Sequence, residues 1–455
     1  MRDTSGEASR AGRRELWLGL APVAAAGAVY APLVGYPFFA DHFLHLYHAA
    51  NDGLARFLVR PHTHHVLITY RAVFYAFETL FGLRSQLWFL AVLLTHLANV
   101  FLLFRVIQKL TAKPVLAALG AALWGAAPVH IGSLGWLAVY SHVLVAPCLL
   151  WILLDVARVA SGALRLSNGV LARWCLLLLA ASTSFGVGLA VAMAAPGFVL
   201  LLLPAAERRG RAALALGALL VVIPLLYFSL HGLHAWLSAP GDAPGAGPKL
   251  AMLQGVLSPA RWGRLLSVLA GLLAYGVSSL LLGPFIVAFP EMAPGDPRVL
   301  LAGALPAPLA LRISVWIGVS FALLWAVCLW IARPTRRRQL LAFALIALAS
   351  YGIIALGVAH ALIVYRQGLA GLALEPRYQY VGGIAICVSL CLMLDLAARH
   401  RPAVRRVSAG ILAAWIACML PFSLGWSLTQ GRSDLRAGRT AFAEVVARIE
   451  QRVDG

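Results

Sequence analysis

Apolar runs long enough to cross a bilayer alternate with short polar breaks along almost the whole chain. The first extends from Leu16 to about Tyr36, roughly the 20 residues a helix needs to span the hydrocarbon core. It follows a charged tail at residues 1–15 that carries no small-residue cleavage pattern, so a retained helix is expected. Further runs at about 86–106, 114–131, 134–156, 212–230, 312–333, 339–360, 380–398 and 407–427, with a short pair at 170–204, predict additional spans. The run at 264–290 contains Gly276, Ser278, Ser279, Gly283 and Pro284, and this interruption predicts an interfacial or re-entrant segment. The pattern gives an all-α polytopic membrane fold of about eleven transmembrane helices, within a range of about 11 to 13.

The stretch between the first two spans has a different character. Residues 37–85 hold Asp41, Asp52, four arginines and the histidines His42, His45, His48, His62, His64 and His65. Phe43, Leu44, Tyr47, Leu54, Phe57 and Leu58 recur at helical spacing with polar residues between them. They predict an amphipathic helix lying in the interface, and a second is expected over 66–81. Two more outer loops are expected at 231–263 and 361–379. The polar tail at 428–455 carries Phe442, Val445, Val446 and Ile449 at i, i+3, i+4 and i+7, which predicts a short amphipathic helix.

Composition narrows the class. Of 455 residues 61% are hydrophobic and only 12% are charged, which excludes a soluble globular domain and a disordered chain. Lys and Arg number 37 against 17 Asp and Glu, a net charge of +20. That excess lies in short clusters between apolar runs: Arg10, Arg13 and Arg14; Arg208, Arg209 and Arg211; Arg336 to Arg338; Arg399, Arg401, Arg405 and Arg406. Such clusters mark cytoplasmic loops, and they do not form the single basic face of a nucleic-acid binder. They place the N-terminus in the cytoplasm and the loops holding Asp41 and Arg377 on the other side. Cys148, Cys175, Cys328, Cys387, Cys391 and Cys418 all fall inside apolar runs and are expected to be buried small hydrophobes.

Motifs follow one another in a definite order: Asp41-His42-Phe43, Arg60-Pro61-His62-Thr63-His64-His65, Leu80-Phe81-Gly82, His96-Leu97-Ala98-Asn99, and Ala127-Pro128-Val129-His130 before Trp136. Late in the chain Glu375-Pro376-Arg377-Tyr378-Gln379-Tyr380 opens a span. In joint order these pieces resemble GT-C glycosyltransferases that use polyprenyl-phosphate sugars, such as protein O-mannosyltransferases and lipid A aminoarabinose transferases. The resemblance covers about residues 37–145 and 372–385. Two positions depart from it, since His42 stands where many relatives have a second acid, and Ser184-Phe185-Gly186 where they often have Ser-Lys-Glu.

The resemblance implies a GT-C-like domain over 16–427 and a multi-pass protein, expected in a bacterial inner membrane with its active site outside the cytoplasm. It implies a polyprenyl-phosphate-linked sugar as donor, a lipid, glycan or protein acceptor, membrane lipids as surroundings, and no nucleic acid. Asp41 would be the general base; a carboxylate at the membrane surface suits that task, and capping the following helix is its plainer alternative. Arg377, Tyr378 and Arg60 would bind the donor phosphate, because a guanidinium can hold phosphate oxygens in a bidentate way. Snorkelling to headgroups is the alternative for Arg377, and a place in the interfacial aromatic belt for Tyr378 and Tyr380. His42, His64, His65, Arg71 and Trp136 would contact substrate. The histidines raise zinc as an option, but no second carboxylate or cysteine completes a site, so no cofactor is expected. His96 and Asn99 are expected to hydrogen-bond between helices. A non-catalytic lipid-binding scaffold and a transporter are the other function classes compatible with this pattern.

Overall fold

A computed structural model of the chain describes residues 4–38, 41–60, 65–208, 210–237, 259–283, 307–364, 373–400, 407, 409–421, 423–425 and 427–428. The expected tail helix around Phe442, and most of the loops at 231–263 and 361–379, lie outside these residues.

Helices follow helices throughout. α1 (Thr4–Tyr30) leads into three short ones, α2 (Asp41–Asn51), α3 (Leu54–Val59) and α4 (Ile68–Phe81), before the long α5 (Ser85–Thr111). α6 (Pro114–Gly125) bends by 46° through a 3-10 turn at Pro128–His130 into α7 (Ile131–Leu134). Then come α8 (Tyr140–Ala160), α9 (Asn168–Ser182), α10 (Gly186–Leu202), α11 (Arg211–Leu237), α12 (Pro259–Leu281), α13 (Ala307–Ile331), α14 (Pro334–Val364) and α15 (Gln379–His400). Among the described residues eight helices are long and apolar enough to cross a membrane, or nine if the bent pair is one span. α9, α10 and a segment at Ala409–Gly425 are shorter and equally apolar. Their outward faces are greasy: Phe228, Trp316, Leu323 and Trp330 are each more than 60% exposed. Lipid, not water, must cover such surfaces. The chain is an integral, multi-pass membrane protein of the all-α class, and α2 to α4 fill the first long loop where amphipathic helices were expected.

The 264–290 run departs from expectation up to Leu281, and residues 284–290, Pro284 among them, lie outside the described residues. α12 passes unbroken through Gly276, Ser278 and Ser279. The Ser278 hydroxyl reaches Ser314 at 2.7 Å and the Ser279 hydroxyl the carbonyl of Gly276 at 3.3 Å, so neither serine needs water. A Cβ at Gly276 would lie 2.3 Å from the Tyr351 hydroxyl. These small residues serve close packing against α13 and α14; they are not a break. The cysteines also divide: Cys328, Cys387 and Cys391 are buried as expected, whereas Cys418 is exposed.

Several polar groups inside the bundle bond one another across helices. His96 joins the Tyr380 hydroxyl at 2.7 Å and the Gly125 carbonyl at 2.8 Å, while Asn99 donates to the Val143 carbonyl and the Tyr380 hydroxyl. The Tyr30 hydroxyl donates to the Ala127 carbonyl. These bonds tie α1, α5, α6, α8 and α15 together, as expected for His96 and Asn99. Tyr380, fully buried, is therefore an interior anchor and not a belt aromatic.

The two ends of the bundle differ. Near the C-terminal ends of α5, α8 and α15, Arg336 pairs with the buried Asp395 and donates to the Leu110 carbonyl at 2.9 Å. Asp155 there accepts from Arg173 at 2.5 Å and from Trp174 at 3.2 Å. The opposite end gathers α2, the segment around α7, and the N-terminus of α15.

Candidate functional site

Asp41 opens α2, where a carboxylate is favoured by the helix dipole. His42, His45 and Ala49 form the buried face of this helix, and Phe43, Leu44 and Tyr47 its exposed apolar face. Nε2 of His42 accepts the backbone N–H of Leu137 at 2.6 Å. Burial pushes the His42 pKa down to about 3, so the ring stays neutral and keeps the lone pair this bond needs. His42, expected to touch substrate, thus also fastens the first loop to the segment after α7.

That segment is fastened in turn to the start of α15. Gly132 in α7 faces the 3-10 turn Pro376–Tyr378, and a Cβ there would come within 2.9 Å of both the Arg377 nitrogen and Pro376. Only glycine permits this approach. The Ser133 hydroxyl donates to the Arg377 carbonyl at 3.1 Å. The guanidinium of Arg377 lies over the Trp136 ring at 5.0 Å and the Tyr378 ring at 5.2 Å, with Glu375 3.5 Å from its Nε. Stacking of this kind contributes about 0.5–2 kcal/mol and fixes the plane of the cation. Asp41, His42, Trp136, Arg377 and Tyr378 therefore come together at one end of the bundle.

His65 joins the neighbourhood from the segment before α4. Its ring lies 4.6 Å from Phe185, which in turn lies 4.4 Å from His142. His64 and His62 lie outside the described residues. Arg60 and Arg71 are placed apart from this group. Arg60 holds Asp52 at 3.0 Å and His48 at 2.5 Å, and Asp52 follows α2, a helix about 16 Å long, so this knot is one helix length from Asp41. Arg71 is buried in α4, donates to the Phe57 carbonyl, and lies 5.0 Å over the Phe57 ring. Burial pulls its pKa to about 10, which still leaves it charged. Both arginines knit α2, α3 and α4 together. Among the described residues no three His, Cys, Asp or Glu side chains converge as a metal site.

Sequence reasoning passed over His142, Phe185, Gly132 and Ser133 as site residues. His142 carried one faint signal, a polar residue at the mouth of an apolar run; the two small residues of α7 carried none, since their use depends on a partner late in the chain.

No family model matches the sequence, and no curated protein does. Solved structures to which the chain is similar include the following two. The crystal structure of the Archaeoglobus fulgidus oligosaccharyltransferase, in complex with Zn and sulfate, aligns with 90% of this chain and 53% of its own, at 13% identity and a TM-score of 0.39. ArnT from Cupriavidus metallidurans, in the apo state, aligns with 83% of this chain and 77% of its own, at 16% identity and a TM-score of 0.32. The chain spans about half the length of the oligosaccharyltransferase. Superpositions this loose assign no residue a role.

Proposed function

We propose that this protein is a membrane glycosyltransferase of the GT-C type, moving a sugar from a polyprenyl-phosphate donor to a hydroxyl group of a lipid, glycan or protein acceptor. The observation that carries this proposal is the short chain of contacts between Asp41 and Arg377. His42, next to Asp41, holds the amide of Leu137, and Trp136, next to Leu137, stacks on Arg377. A carboxylate and a cation far apart in sequence are thereby held at one end of the bundle, as a transfer site requires. The motif order in the sequence supports the same assignment.

In this mechanism the acceptor hydroxyl gives its proton to the Asp41 carboxylate as its oxygen forms a bond to the anomeric carbon. The bond from that carbon to the phosphate oxygen breaks, and the electron pair leaves with the lipid phosphate. The guanidinium of Arg377, held flat by Trp136 and Tyr378, takes the growing charge. A single displacement of this kind inverts the anomeric centre. The arginine clusters at the other end of the bundle support a site outside the cytoplasm, and a bacterial inner membrane is the setting. A transporter would keep polar groups available at mid-membrane, but here His96 and Asn99 are bound to Tyr380 and to backbone carbonyls.

The test is transfer of labelled sugar from polyprenyl-phosphate donors by the full chain in nanodiscs. Asp41→Asn can still cap α2 but cannot take the proton, so transfer should drop by about 10²- to 10⁴-fold at unchanged thermal stability. Arg377→Lys keeps the charge and loses the planar fork, and should raise the donor KM. Near-normal transfer by Asp41→Asn would make Asp41 structural and move the base to His42, His64 or His65, whereas no transfer by the unsubstituted chain would leave a lipid-binding scaffold as the better description.

A further inference from the structure

His142 lies in the first turn of α8, directly after the segment that carries Trp136, and the mechanism above leaves it unused. It is 1% exposed, and neither ring nitrogen has a hydrogen-bond partner among the described residues. Two other buried imidazoles are engaged, His42 with Leu137 and His96 with Tyr380 and Gly125, while His130, packed among Trp124, His96 and Tyr380, shares with His142 the lack of a bonded ring nitrogen. Buried polar atoms without partners are costly and rarely kept by a fold that has no use for them. An apolar residue would fill the same space at no such cost.

Its surroundings say what it could meet. The ring contacts Phe185, and Phe185 contacts His65; Gly186 makes room for that arrangement, since a Cβ there would lie 2.8 Å from the His65 ring. His142 follows closely on Trp136, the residue whose ring lies 5.0 Å from the Arg377 guanidinium. Three separate elements, α8, the turn between α9 and α10, and the segment before α4, thus place an imidazole and aromatic faces beside the phosphate clamp. An imidazole offers one N–H donor and one lone-pair acceptor, the pattern that matches a hydroxyl group; ionised phosphate oxygens only accept. Aromatic faces suit the C–H face of a pyranose ring. The polarity of the group therefore fits a sugar better than the phosphate already assigned to Arg377.

We infer that His142, with Phe185 and His65, forms the pocket for the sugar ring of the donor, and that His142 hydrogen-bonds a ring hydroxyl. This rests on the glycosyltransferase proposal and adds to it a residue that recognises the sugar rather than the lipid phosphate.

The experiment measures binding of radiolabelled polyprenyl phosphate and of polyprenyl-phosphate glucose, mannose and galactose to the full chain in nanodiscs. The unsubstituted protein should bind at least one hexose-bearing lipid about tenfold or more tighter than bare polyprenyl phosphate. His142→Leu should erase that preference, bind bare polyprenyl phosphate as before, and unfold at an equal or higher temperature, because no bonded partner is lost. His142→Asn, which keeps a donor and an acceptor, should retain part of the preference. Arg377→Gln should weaken every one of these lipids. A His142→Leu chain that keeps the full preference, or that loses stability without His142→Asn restoring any preference, overturns the inference and makes His142 a packing residue. A wild-type chain that binds polyprenyl phosphate but favours no hexose also overturns it, while lipid-phosphate binding stands. A wild-type chain that binds none of the lipids removes the glycosyltransferase proposal itself.

Discussion

The bond from Leu137 N–H to His42 is the one direct hydrogen bond described between α2 and the segment that carries Trp136, and it should make their docking sensitive to acid. In the docked state burial holds the His42 pKa at about 3, against its ordinary 6.5. A base whose pKa is depressed on docking is neutral there and takes up a proton more readily once released. Docking is therefore at full strength above pH 6.5 and weakens as pH falls from 6.5 toward 3. The loss follows about 1.4 kcal/mol per pH unit, which gives on the order of 1 kcal/mol at pH 5.5 and about 3 kcal/mol at pH 4.5. Protonation also removes the acceptor that Leu137 needs, leaving a buried amide unmet at about 1–3 kcal/mol.

Amide hydrogen exchange over residues 131–139, normalised for intrinsic rates, reads this directly. Protection in the wild-type chain should fall about tenfold for each unit below pH 6.5. In His42→Asn it should be weaker at neutral pH and flat on acidification. His45 and His48 on the same helix also titrate, so the difference between wild type and variant, not the wild-type slope alone, isolates His42. Flat protection in the wild type between pH 7 and 4.5, or an equal slope in His42→Asn, would refute the assignment of this bond as the acid-sensitive latch.

Two further expectations concern the rest of the bundle. Asp395→Asn leaves Arg336 largely buried without its counter-charge and should cost roughly 3–5 kcal/mol, read as a lower unfolding temperature with an unchanged donor KM. In a cysteine-free chain, Gly53→Cys between α2 and α3 and Ser161→Cys after α8 should react with an impermeant thiol reagent from opposite sides of the membrane; labelling from one side alone would contradict the proposed orientation.

Hydropathy made the spans and the helical first loop legible, because burial in lipid is a property of each run by itself. It misread the 264–290 run for the same reason. Gly276 and Ser278 look like a break in isolation, and only the Tyr351 hydroxyl and Ser314, brought from α14 and α13, turn them into packing contacts. Arg60, expected at the phosphate, and Arg71, expected at the substrate, show the same limit: nothing in the sequence places Asp52 beside the one and the Phe57 carbonyl beside the other. The order of motifs brought Asp41, His42, Trp136, Arg377 and Tyr378 into one list. It could not say that His42 faces an amide, since the face an imidazole presents depends on a residue 95 positions away.

Arginine is held in different ways at the two ends of the bundle. At the basic end Arg336 meets Asp395 and a carbonyl, and Arg173 meets Asp155, so their N–H edges are spent on partners within the fold. Such pairs fix helices against one another and have little left for a ligand. Arg377 is held by its faces instead, over Trp136 and Tyr378, with Glu375 only at 3.5 Å and the side chain 29% exposed. Aromatic contact holds the guanidinium in place, and in the proposed reaction its exposed part would meet the donor phosphate. Asp41 at the start of α2 and His142 in the first turn of α8 lie at the same end of the bundle. The same side chain is thus a brace where a buried carboxylate closes on it and, in the proposed reaction, a binding group where two aromatic rings and the part-exposed Glu375 surround it.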